Sequence, residues 1–266
     1  MLLTRRLNSA RFLKKMSSVA AAPSEHHIVN VDKSDGTVTL YPKKERAAHS
    51  ATVVFSHGLG DSARGWAAGV WGISSFENLD HVKFILPTAT NLPVTINGKM
   101  PMPAWYDIEG LKDRADERYE GLNESKDRIL KICENELEGG IAADRIVLAG
   151  FSQGAALSLY SSFSFPFASA GVICMSGYLP HPNTFSEWHT GHAVDKKIPV
   201  RFFHGEQDTV VDIGLARDSC KILKANGVDN LALSTYPALQ HNASEEELEH
   251  VAAALLEMLP PCESSL

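Results

Sequence analysis

The segment 150–154 has the sequence GFSQG and places Ser152 between two glycines, directly after the apolar run Arg145–Ala149. A Gly-x-Ser-x-Gly pattern at a turn from a strand into a helix is typical of a serine nucleophile that attacks acyl carbonyl groups. The same residues are compatible with an ordinary turn, because glycine and serine are common turn residues. The pattern therefore predicts a candidate nucleophile, whose partners must lie elsewhere in the chain.

An acidic residue is the first partner to be expected. A serine hydroxyl is a weak nucleophile unless a base takes its proton, and the chain order that accompanies this turn is serine, then an acid, then histidine. Three acidic residues are candidates: Glu206, Asp208 and Asp212. Asp208 is favoured because it follows a predicted strand and has two valines behind it to pack the loop. Glu206 lies nearer the strand end, and Asp212 is typical of a helix N-cap.

His241 is predicted as the base. It lies in the loop between Pro237 and Ser244, from which it can reach across the ends of the strands. His250 also follows Asp208, but it lies inside the last predicted helix. Asp208 would fix the tautomer of His241 and stabilise the imidazolium that forms in the reaction.

Two backbone N–H groups are needed to stabilise the negative oxygen of a tetrahedral intermediate. One is expected from Gln153, the residue after the nucleophile, and the other from the loop that follows an early strand. The segment 57–60, HGLG, is that loop, and we expect the Leu59 N–H to be the second donor. The alternative is a glycine-rich turn with no chemical role.

Short apolar runs and helical patterns indicate the elements that must position these residues. Six runs predict strands buried on both faces of a parallel sheet: Thr52–Ser56, Val82–Leu86, Arg145–Ala149, Gly171–Met175, Val200–Phe203 and Leu231–Tyr236. Helices are predicted between them, at Asn123–Leu137, Gln153–Ser162, Asp212–Asn226 and after Ser244. The alternation predicts an α/β fold with a mostly parallel sheet and helices on both faces. The carboxyl ends of such strands collect the chemistry, and four residues fall there: His57, Ser152, Asp208 and His241.

Two further local features are predicted near the ends of the chain. Val29–Val31 and Thr37–Tyr41 are separated by turn residues and predict an N-terminal hairpin. Ser244 and Glu247 predict a capping box at the start of the last helix, in which each side chain satisfies a backbone N–H group of the other residue.

The bulk composition is that of an ordinary globular protein and excludes several classes of function. The 266 residues are 44% hydrophobic and 21% charged, with a net charge of −7. This acidic balance argues against nucleic-acid binding, which needs clustered lysine and arginine. No apolar run reaches the roughly 18 residues that span a bilayer. The four cysteines have no metal-ligand spacing, so no zinc site or disulfide framework is predicted, and a reducing compartment is favoured.

Residues 1–24 are expected to form a basic N-terminal extension, and residues 25–266 a single α/β domain. The extension has five lysine or arginine residues and no acidic residue, which is typical of a mitochondrial presequence. Its apolar residues do not gather on one helical face, so the alternative is a basic tail or an extension upstream of a second start at Met16. A cytoplasmic location is expected, with a mitochondrial one as the alternative.

Six motifs together resemble the acyl-protein thioesterases, the lysophospholipase/carboxylesterase branch of the α/β-hydrolases. In chain order they are HGLGDS at 57–62, PTATNLPVTINGKMPMPAWYDI at 87–108, RIVLAGFSQGAALSLY at 145–160, GVICMSGYLP at 171–180, HGEQDTVV at 204–211 and YPALQH at 236–241. The resemblance runs from about Val38 to Pro260. It implies an α/β-hydrolase fold with no large lid domain.

The resemblance implies the same five site residues that the patterns indicate: Ser152, Asp208 and His241 in catalysis, and Leu59 and Gln153 as oxyanion donors. It implies hydrolysis of S-palmitoyl cysteine on proteins, and often of lysophospholipids and simple esters, with no metal or organic cofactor. An apolar groove formed partly by the long loop 87–108 would hold the acyl chain, with six candidates for its wall: Leu92, Val94, Ile96, Met100, Met102 and Trp105. The alternative for each of these six is ordinary loop packing.

The chain departs from the family pattern at three places. Gln240 stands before His241 where the family usually has glycine, and Ala155 stands where a glycine usually follows the serine motif. Some relatives carry a lipid on a cysteine near the N-terminus, whereas the first cysteine of this chain is Cys133. These departures bear on substrate preference and membrane association more than on catalysis.

We therefore expect an enzyme that hydrolyses long-chain acyl thioesters through an acyl-enzyme intermediate. The alternatives are a lysophospholipase or broad carboxylesterase with little activity on proteins, and a non-catalytic α/β-hydrolase that serves as a binding module. The expected partners are S-acylated proteins or lysophospholipids as substrates, with at most peripheral membrane contact and no nucleic acid. The chain is expected to be a monomer or a weak homodimer.

Overall fold

The structure, a computed structural model, describes residues 26–43, 49–76, 78–110 and 117–262. The basic extension predicted at residues 1–24 lies outside them. None of the helices in the described ranges has both the length and the apolar character that crossing a membrane requires. All four cysteines are free, and three of them are buried: Cys133, Cys174 and Cys220.

Ten strands lie in the described ranges: β1 (His27–Val31), β2 (Val38–Pro42), β3 (Ala51–Ser56), β4 (Val82–Leu86), β5 (Asn91–Val94), β6 (Met100–Pro103), β7 (Ile146–Phe151), β8 (Gly171–Met175), β9 (Val200–Gly205) and β10 (Leu231–Tyr236). Eight of them form one sheet in the order β1-β2-β4-β3-β7-β8-β9-β10, and β5 and β6 form a separate antiparallel hairpin. From β4 across to β10 neighbouring strands are parallel, whereas β1 and β2 are antiparallel to their neighbours. The predicted mostly parallel sheet is confirmed.

Seven α-helices accompany these strands in the described ranges: α1 (Ala63–Ser74), α2 (Leu122–Glu138), α3 (Gln153–Ser164), α4 (Phe185–Trp188), α5 (His192–Asp195), α6 (Ile213–Ala225) and α7 (Glu245–Met258). Helices α1 and α7 pack on one face of the sheet, and α2, α3 and α6 pack on the other. Successive strand residues face opposite ways, so Val53 and Phe55 join the first core and Val54 joins the second. Both faces of the sheet are therefore covered, as the continuous apolar strands predict.

The predicted elements agree with the structure to within two residues at each end. The largest strand differences are two residues, in β1, β7 and β9. Strand β7 continues to Phe151 and brings the sheet to within one residue of Ser152. Helix α1 and the β5–β6 hairpin were not predicted. The α1 sequence contains three glycines, which disfavour helix intrinsically. It forms because four side chains on one face are buried in the first core: Ala63, Ala67, Val70 and Ile73.

A buried glutamate joins α2 to the amino ends of β3 and β4. Glu136 accepts hydrogen bonds from Lys83 Nζ at 2.6 Å, from Thr52 Oγ1 at 2.6 Å and from His49 at 2.9 Å. Burial acts to raise the pKa of Glu136, but these three partners lower it to about 2. The carboxylate is therefore ionised and paired, as a buried charge requires.

A second buried glutamate has the opposite environment and corrects one prediction. The Ser244 hydroxyl accepts the Glu247 N–H at 3.1 Å, so one arm of the predicted capping box is present. The reciprocal arm is absent, because neither oxygen of the Glu247 carboxyl makes a hydrogen bond within the described residues. Burial raises the pKa of Glu247 to about 8, which the nearby Ser244 N–H offsets only in part and the nearby Asp208 reinforces. Glu247 is fully buried and therefore neutral at pH 7.

The substitutions Glu247→Gln and Glu136→Gln are expected to change the pH dependence of stability in opposite directions. A carboxyl with a raised pKa in the folded state loses stability as pH rises from its usual value of 4.5 to about 8, because only the unfolded chain ionises. Glu247→Gln removes that loss, so its free energy of unfolding should gain on wild type by about 1.4 kcal/mol per pH unit in this window. Denaturant unfolding at several pH values measures the gain.

The Glu136→Gln variant serves as the contrast. Its deficit against wild type should shrink as pH falls from 4.5 towards 2, where the wild-type carboxylate becomes protonated. Parallel stability curves for wild type and Glu247→Gln between pH 5 and 8 would contradict the assignment of Glu247 as a neutral acid.

Candidate active site

Ser152 lies on the turn between β7 and α3, at the carboxyl edge of the sheet. Its φ of 55° and ψ of −120° put a non-glycine residue in a backbone region that L-residues rarely adopt. Such strain persists only where surrounding contacts hold it, and here the Ser152 N–H donates to the Met175 carbonyl at 2.8 Å. Its own carbonyl accepts from the Ala155 N–H at 3.0 Å. The turn thus presents the Ser152 side chain at the sheet edge, as a nucleophile turn requires.

The two glycines of this turn are required by how closely β3, β7 and α3 approach one another. A Cβ on Gly154 would lie 2.1 Å from the Ser56 carbonyl oxygen, and a Cβ on Gly150 would lie 2.5 Å from the Gly154 carbonyl carbon. Real Cβ atoms essentially never approach other heavy atoms within 3.0 Å. The glycines therefore let the first turn of α3 lie directly against the end of β3.

Asp208, His241 and Ser152 form a continuous hydrogen-bonded chain. His241 Nε2 lies 3.0 Å from Ser152 Oγ, and His241 Nδ1 lies 2.7 Å from Asp208 Oδ2. The other oxygen of Asp208 accepts the N–H groups of Val210 and Val211 at 2.9 and 2.8 Å. Burial acts to raise the pKa of Asp208, but these hydrogen bonds, led by that from His241, lower it overall. Asp208 is therefore a buried carboxylate, and the Nδ1 atom of His241 that faces it is the donor.

The competing candidates lie away from this chain of contacts. Glu206 is exposed and accepts a hydrogen bond from Thr235 at 2.8 Å. Asp212 is the N-cap of α6 and accepts from the Gly214 N–H. His250 lies on α7, where its Nδ1 contacts the Tyr236 hydroxyl at 3.0 Å. Of the acid and histidine candidates, the structure brings only Asp208 and His241 to Ser152.

The loop 57–60 lies beside Ser152 and is held by its own histidine. His57 Nδ1 donates to the Gly58 carbonyl at 2.7 Å, and its Nε2 accepts the Ala89 N–H at 2.9 Å. Because the Ala89 N–H can only donate, the neutral tautomer with hydrogen on Nδ1 is fixed. Within the described ranges the N–H groups of Leu59 and Gln153 make no hydrogen bond to a protein acceptor, and both residues line the cleft at Ser152.

The Gln153 side chain makes structural hydrogen bonds that the sequence patterns did not indicate. Its Oε1 accepts the Trp105 N–H at 2.9 Å, and its Nε2 donates to the Tyr106 carbonyl at 2.7 Å. The Trp105 indole in turn donates to the His57 carbonyl at 2.8 Å. The residue after the nucleophile thereby joins the loop 57–60 to the end of the long loop 87–108. Partners so distant in the chain leave no local signal in the sequence.

An apolar cleft of about 240 Å³ opens next to Ser152. Its lining combines Ser152, Gln153 and His241 with mainly apolar and aromatic side chains: Leu59, Trp66, Ile108, Phe151, Tyr178, Val210 and Val211. Phe151 also packs against the His241 ring, with the ring centroids 4.8 Å apart. The site is therefore a mostly apolar pocket with a few convergent polar groups, the usual form of a small-molecule site.

The six groove candidates of the long loop lie outside this lining. Val94 and Trp105 are buried, and the Trp105 indole N–H donates a hydrogen bond to the His57 carbonyl. Met100 is 62% exposed at the start of β6. The other three are, like Leu59, partly buried against the second core: Leu92, Ile96 and Met102. The structure thus separates the six into two core residues, one exposed residue and three partly buried residues.

A Gly154→Ala substitution is expected to impair both stability and any activity that depends on Ser152. The added Cβ would meet the Ser56 carbonyl oxygen at 2.1 Å, so the turn must shift, at a cost of about 1–3 kcal/mol. Thermal or denaturant unfolding and ester hydrolysis measure the two effects. Gly110→Ala is the matched control, because a Cβ there has no neighbour within 4 Å among the described residues. Equal behaviour of the two variants would contradict the steric account of Gly154.

Comparison with known proteins places the chain in a family. Residues 42–258 match the family model described as Phospholipase/Carboxylesterase. Acyl-protein thioesterase 1 of Gibberella zeae is 38% identical over 233 residues, which cover 86% of this chain and 99% of that protein. Acyl-protein thioesterase 1 homolog 1 of Dictyostelium discoideum is 41% identical over 222 residues, 83% of this chain and 96% of that protein.

Solved structures give the same result for the fold. The crystal structure of Zea mays acyl-protein thioesterase 2 is 30% identical and superposes with a TM-score of 0.74, covering 84% of this chain and 98% of that chain. The sheet with helices on both faces and the relatives together confirm the resemblance that the motifs indicate. The chain belongs to the phospholipase/carboxylesterase family of α/β-hydrolases, in its acyl-protein thioesterase branch.

Proposed function

We propose that this chain is a serine hydrolase that removes long-chain acyl groups from cysteine thioesters of proteins, with Ser152 as the nucleophile. The observation that carries the proposal is the continuous path of hydrogen bonds from Asp208 through His241 to Ser152 beside an apolar cleft. The relatives are named acyl-protein thioesterases, which supports an S-acylated protein as the substrate class.

In the first step, Ser152 Oγ attacks the acyl carbonyl carbon while His241 Nε2 takes the hydroxyl proton. Asp208 holds His241 Nδ1–H, so the lone pair on Nε2 faces the serine. The carbonyl oxygen becomes an oxyanion and accepts hydrogen bonds from the backbone N–H groups of Leu59 and Gln153. The amino end of α3 adds a positive potential at the same place, because Gln153 is its first residue.

Collapse of this intermediate breaks the bond between the carbonyl carbon and the sulfur. The His241 imidazolium donates its proton to the leaving sulfur, which departs as a cysteine thiol, and the acyl group stays on Ser152 as an ester. Water then enters, His241 takes its proton, and the resulting hydroxide attacks the ester carbonyl. The second collapse returns the proton to Ser152 and releases the fatty acid. His241 carries every proton transfer, and Asp208 orients it and stabilises its cation, so the scheme uses no cofactor.

The acyl chain is proposed to start in the cleft and to continue over the long loop. Apolar walls favour a methylene chain, since each buried CH₂ contributes about 0.8 kcal/mol. Leu59 lines the cleft and, like Leu92, Ile96 and Met102 of the long loop, is partly buried against the second core. Val210 also lines the cleft and is 41% exposed.

A lysophospholipase or broad carboxylesterase is the second candidate. The observation that favours it is the apolar lining itself, because such a lining recognises the acyl chain and not the atom that leaves. The family model is described as Phospholipase/Carboxylesterase, which supports the same reading. A non-catalytic binding module would use the cleft without chemistry at Ser152.

A fluorophosphonate probe is expected to label the wild-type chain, because the probe forms a stable bond only with an activated serine. Ser152→Ala should not be labelled, and Asp208→Asn should be labelled more slowly by several orders of magnitude. Ser164→Ala is the control, since its hydroxyl lies at the far end of α3 and bonds the Tyr160 carbonyl. A folded wild type that fails to react would contradict the proposed function.

A substrate comparison separates the thioesterase from its rivals. The value of kcat/KM is expected to be highest for an S-palmitoylated peptide, lower for a lysophospholipid and lowest for a short-chain ester. Val210→Ser should lower turnover of the palmitoylated peptide more than that of the short ester, and Val29→Ser, with the same 41% exposure on β1, should change neither. Turnover of the short ester alone would overturn the thioesterase proposal, and preference for the lysophospholipid would favour the second candidate.

A further inference from the structure

His204 is a fully buried histidine that takes no part in the proposed proton transfers. It lies in β9, four positions before Asp208, and its side chain has no exposed surface. His204 Nε2 lies 2.8 Å from the Val211 carbonyl oxygen and 3.5 Å from Asp208 Oδ2. That same Asp208 oxygen is the one that faces His241 Nδ1 at 2.7 Å. Two histidines therefore approach one carboxylate oxygen from different elements.

The turn 208–211 depends on His204 and Asp208 together. Asp208 accepts the Val210 and Val211 N–H groups through its Oδ1. His204 holds the opposite polar group of Val211, its carbonyl. The turn is thus closed on both sides, and Asp208 can rotate only by giving up its backbone partners. Val211 also lines the cleft, so the same contacts position part of its wall.

The protonation state of His204 follows from its contacts. A carbonyl oxygen only accepts, so Nε2 must carry a hydrogen. The buried Nδ1 has no partner among the described residues. Burial lowers the pKa of His204, an effect that the Val211 carbonyl and the charges of Asp208 and Asp212 only partly offset and that His241 reinforces. His204 is therefore a neutral imidazole whose single N–H points between Val211 and Asp208.

We propose that His204 is a positioning residue for the hydrolysis: its Nε2–H fixes the turn 208–211 and so keeps Asp208 Oδ2 directed at His241. The proposal rests on the proposed function, because it assigns His204 a place behind the Asp208–His241 pair. A dipole near Oδ2 also favours the ionised carboxylate that the reaction needs. Burial raises the pKa of Glu247, a further acid near Asp208, to about 8, so it adds little competing charge at pH 7.

A second histidine of the same bonding type provides the control. His81 precedes β4 at the opposite edge of the sheet, its Nε2 lies 3.0 Å from the Leu259 carbonyl oxygen, and its buried Nδ1 is likewise without a partner in the described ranges. A His81→Leu variant removes the same kind of bond without touching Asp208. Its effect therefore measures what the loss of such a bond costs in stability alone.

The test compares His204→Leu, His204→Gln and His81→Leu with wild type. His204→Leu should lower kcat/KM about 10- to 100-fold, the usual range for losing a group that orients another functional group, with KM little changed. The acid-side midpoint of its pH–rate profile should move to lower pH, because a misdirected Asp208 stabilises the His241 cation less. His204→Gln should recover most of the activity, since its amide can still donate to Val211. His81→Leu should alter the melting temperature and leave the pH profile unchanged.

A double substitution separates positioning from general damage. In an Asp208→Asn background, His204→Leu should cause little further loss in the rate of fluorophosphonate labelling, because its target is already gone. A multiplicative further loss, or a His204→Leu variant with the wild-type rate and pH midpoint, would overturn the proposal. If His204→Leu does not fold, the His204→Gln variant decides the question. A folded His204→Gln with the rate and pH midpoint of wild type supports the proposal. A His204→Gln variant as impaired as Asp208→Asn overturns it. Normal fluorophosphonate labelling of the wild type supports the proposed function, whatever the results for the His204 variants.

Discussion

The close contact between the start of α3 and the end of β3 is the constraint on which the site depends. At this crossing the Gly154 backbone lies so near the Ser56 carbonyl that no side chain fits between them. The chain must therefore turn from β7 into α3 within one residue, and that residue, Ser152, takes a strained backbone conformation. The same contact brings the first N–H of α3 beside the loop 57–60. Tight backbone packing thus sets both the position of Ser152, the proposed nucleophile, and the surroundings of the proposed oxyanion.

The remaining groups reach Ser152 from other strand ends. Asp208 follows β9 and His241 follows β10, and these two strands are parallel neighbours, so their carboxyl ends lie together. Parallel order alone brings the two residues near one another, but it does not orient them. Orientation comes from the turn 208–211, in which the Val210 and Val211 N–H groups bond the carboxylate and His204 bonds the Val211 carbonyl. The parallel pairing of β9 with β10 and the turn 208–211 thus act on the same hydrogen bond, the one between Asp208 and His241.

Much of the fold follows from local patterns, because buried parallel strands and amphipathic helices carry strong apolar signals. The sheet, its carboxyl edge and the principal helices were predicted, whereas the glycine-rich α1 was not, since only packing on the sheet stabilises it. The positions of Ser152, Asp208 and His241 follow from chain order, and the structure brings them into contact, while their catalytic roles remain proposals. The Gln153 side chain and His204 were missed because their contacts depend on folded geometry, and the Glu247 carboxyl was placed wrongly because burial outweighed the capping pattern.

The tie between Gln153 and the residues 105–106 has a consequence for how such a protein changes over time. The β5–β6 hairpin is anchored at its carboxyl end by Gln153, at its amino end by a bond between the Thr90 carbonyl and the Ala104 N–H, and to the loop 57–60 by the Gly60 N–H and the Pro103 carbonyl. Met100, at the start of β6, is 62% exposed and does not line the cleft at Ser152. Substitutions at this exposed position can therefore change what the hairpin presents to solvent, and so diversify over time, while the residues around Ser152 are inherited unchanged.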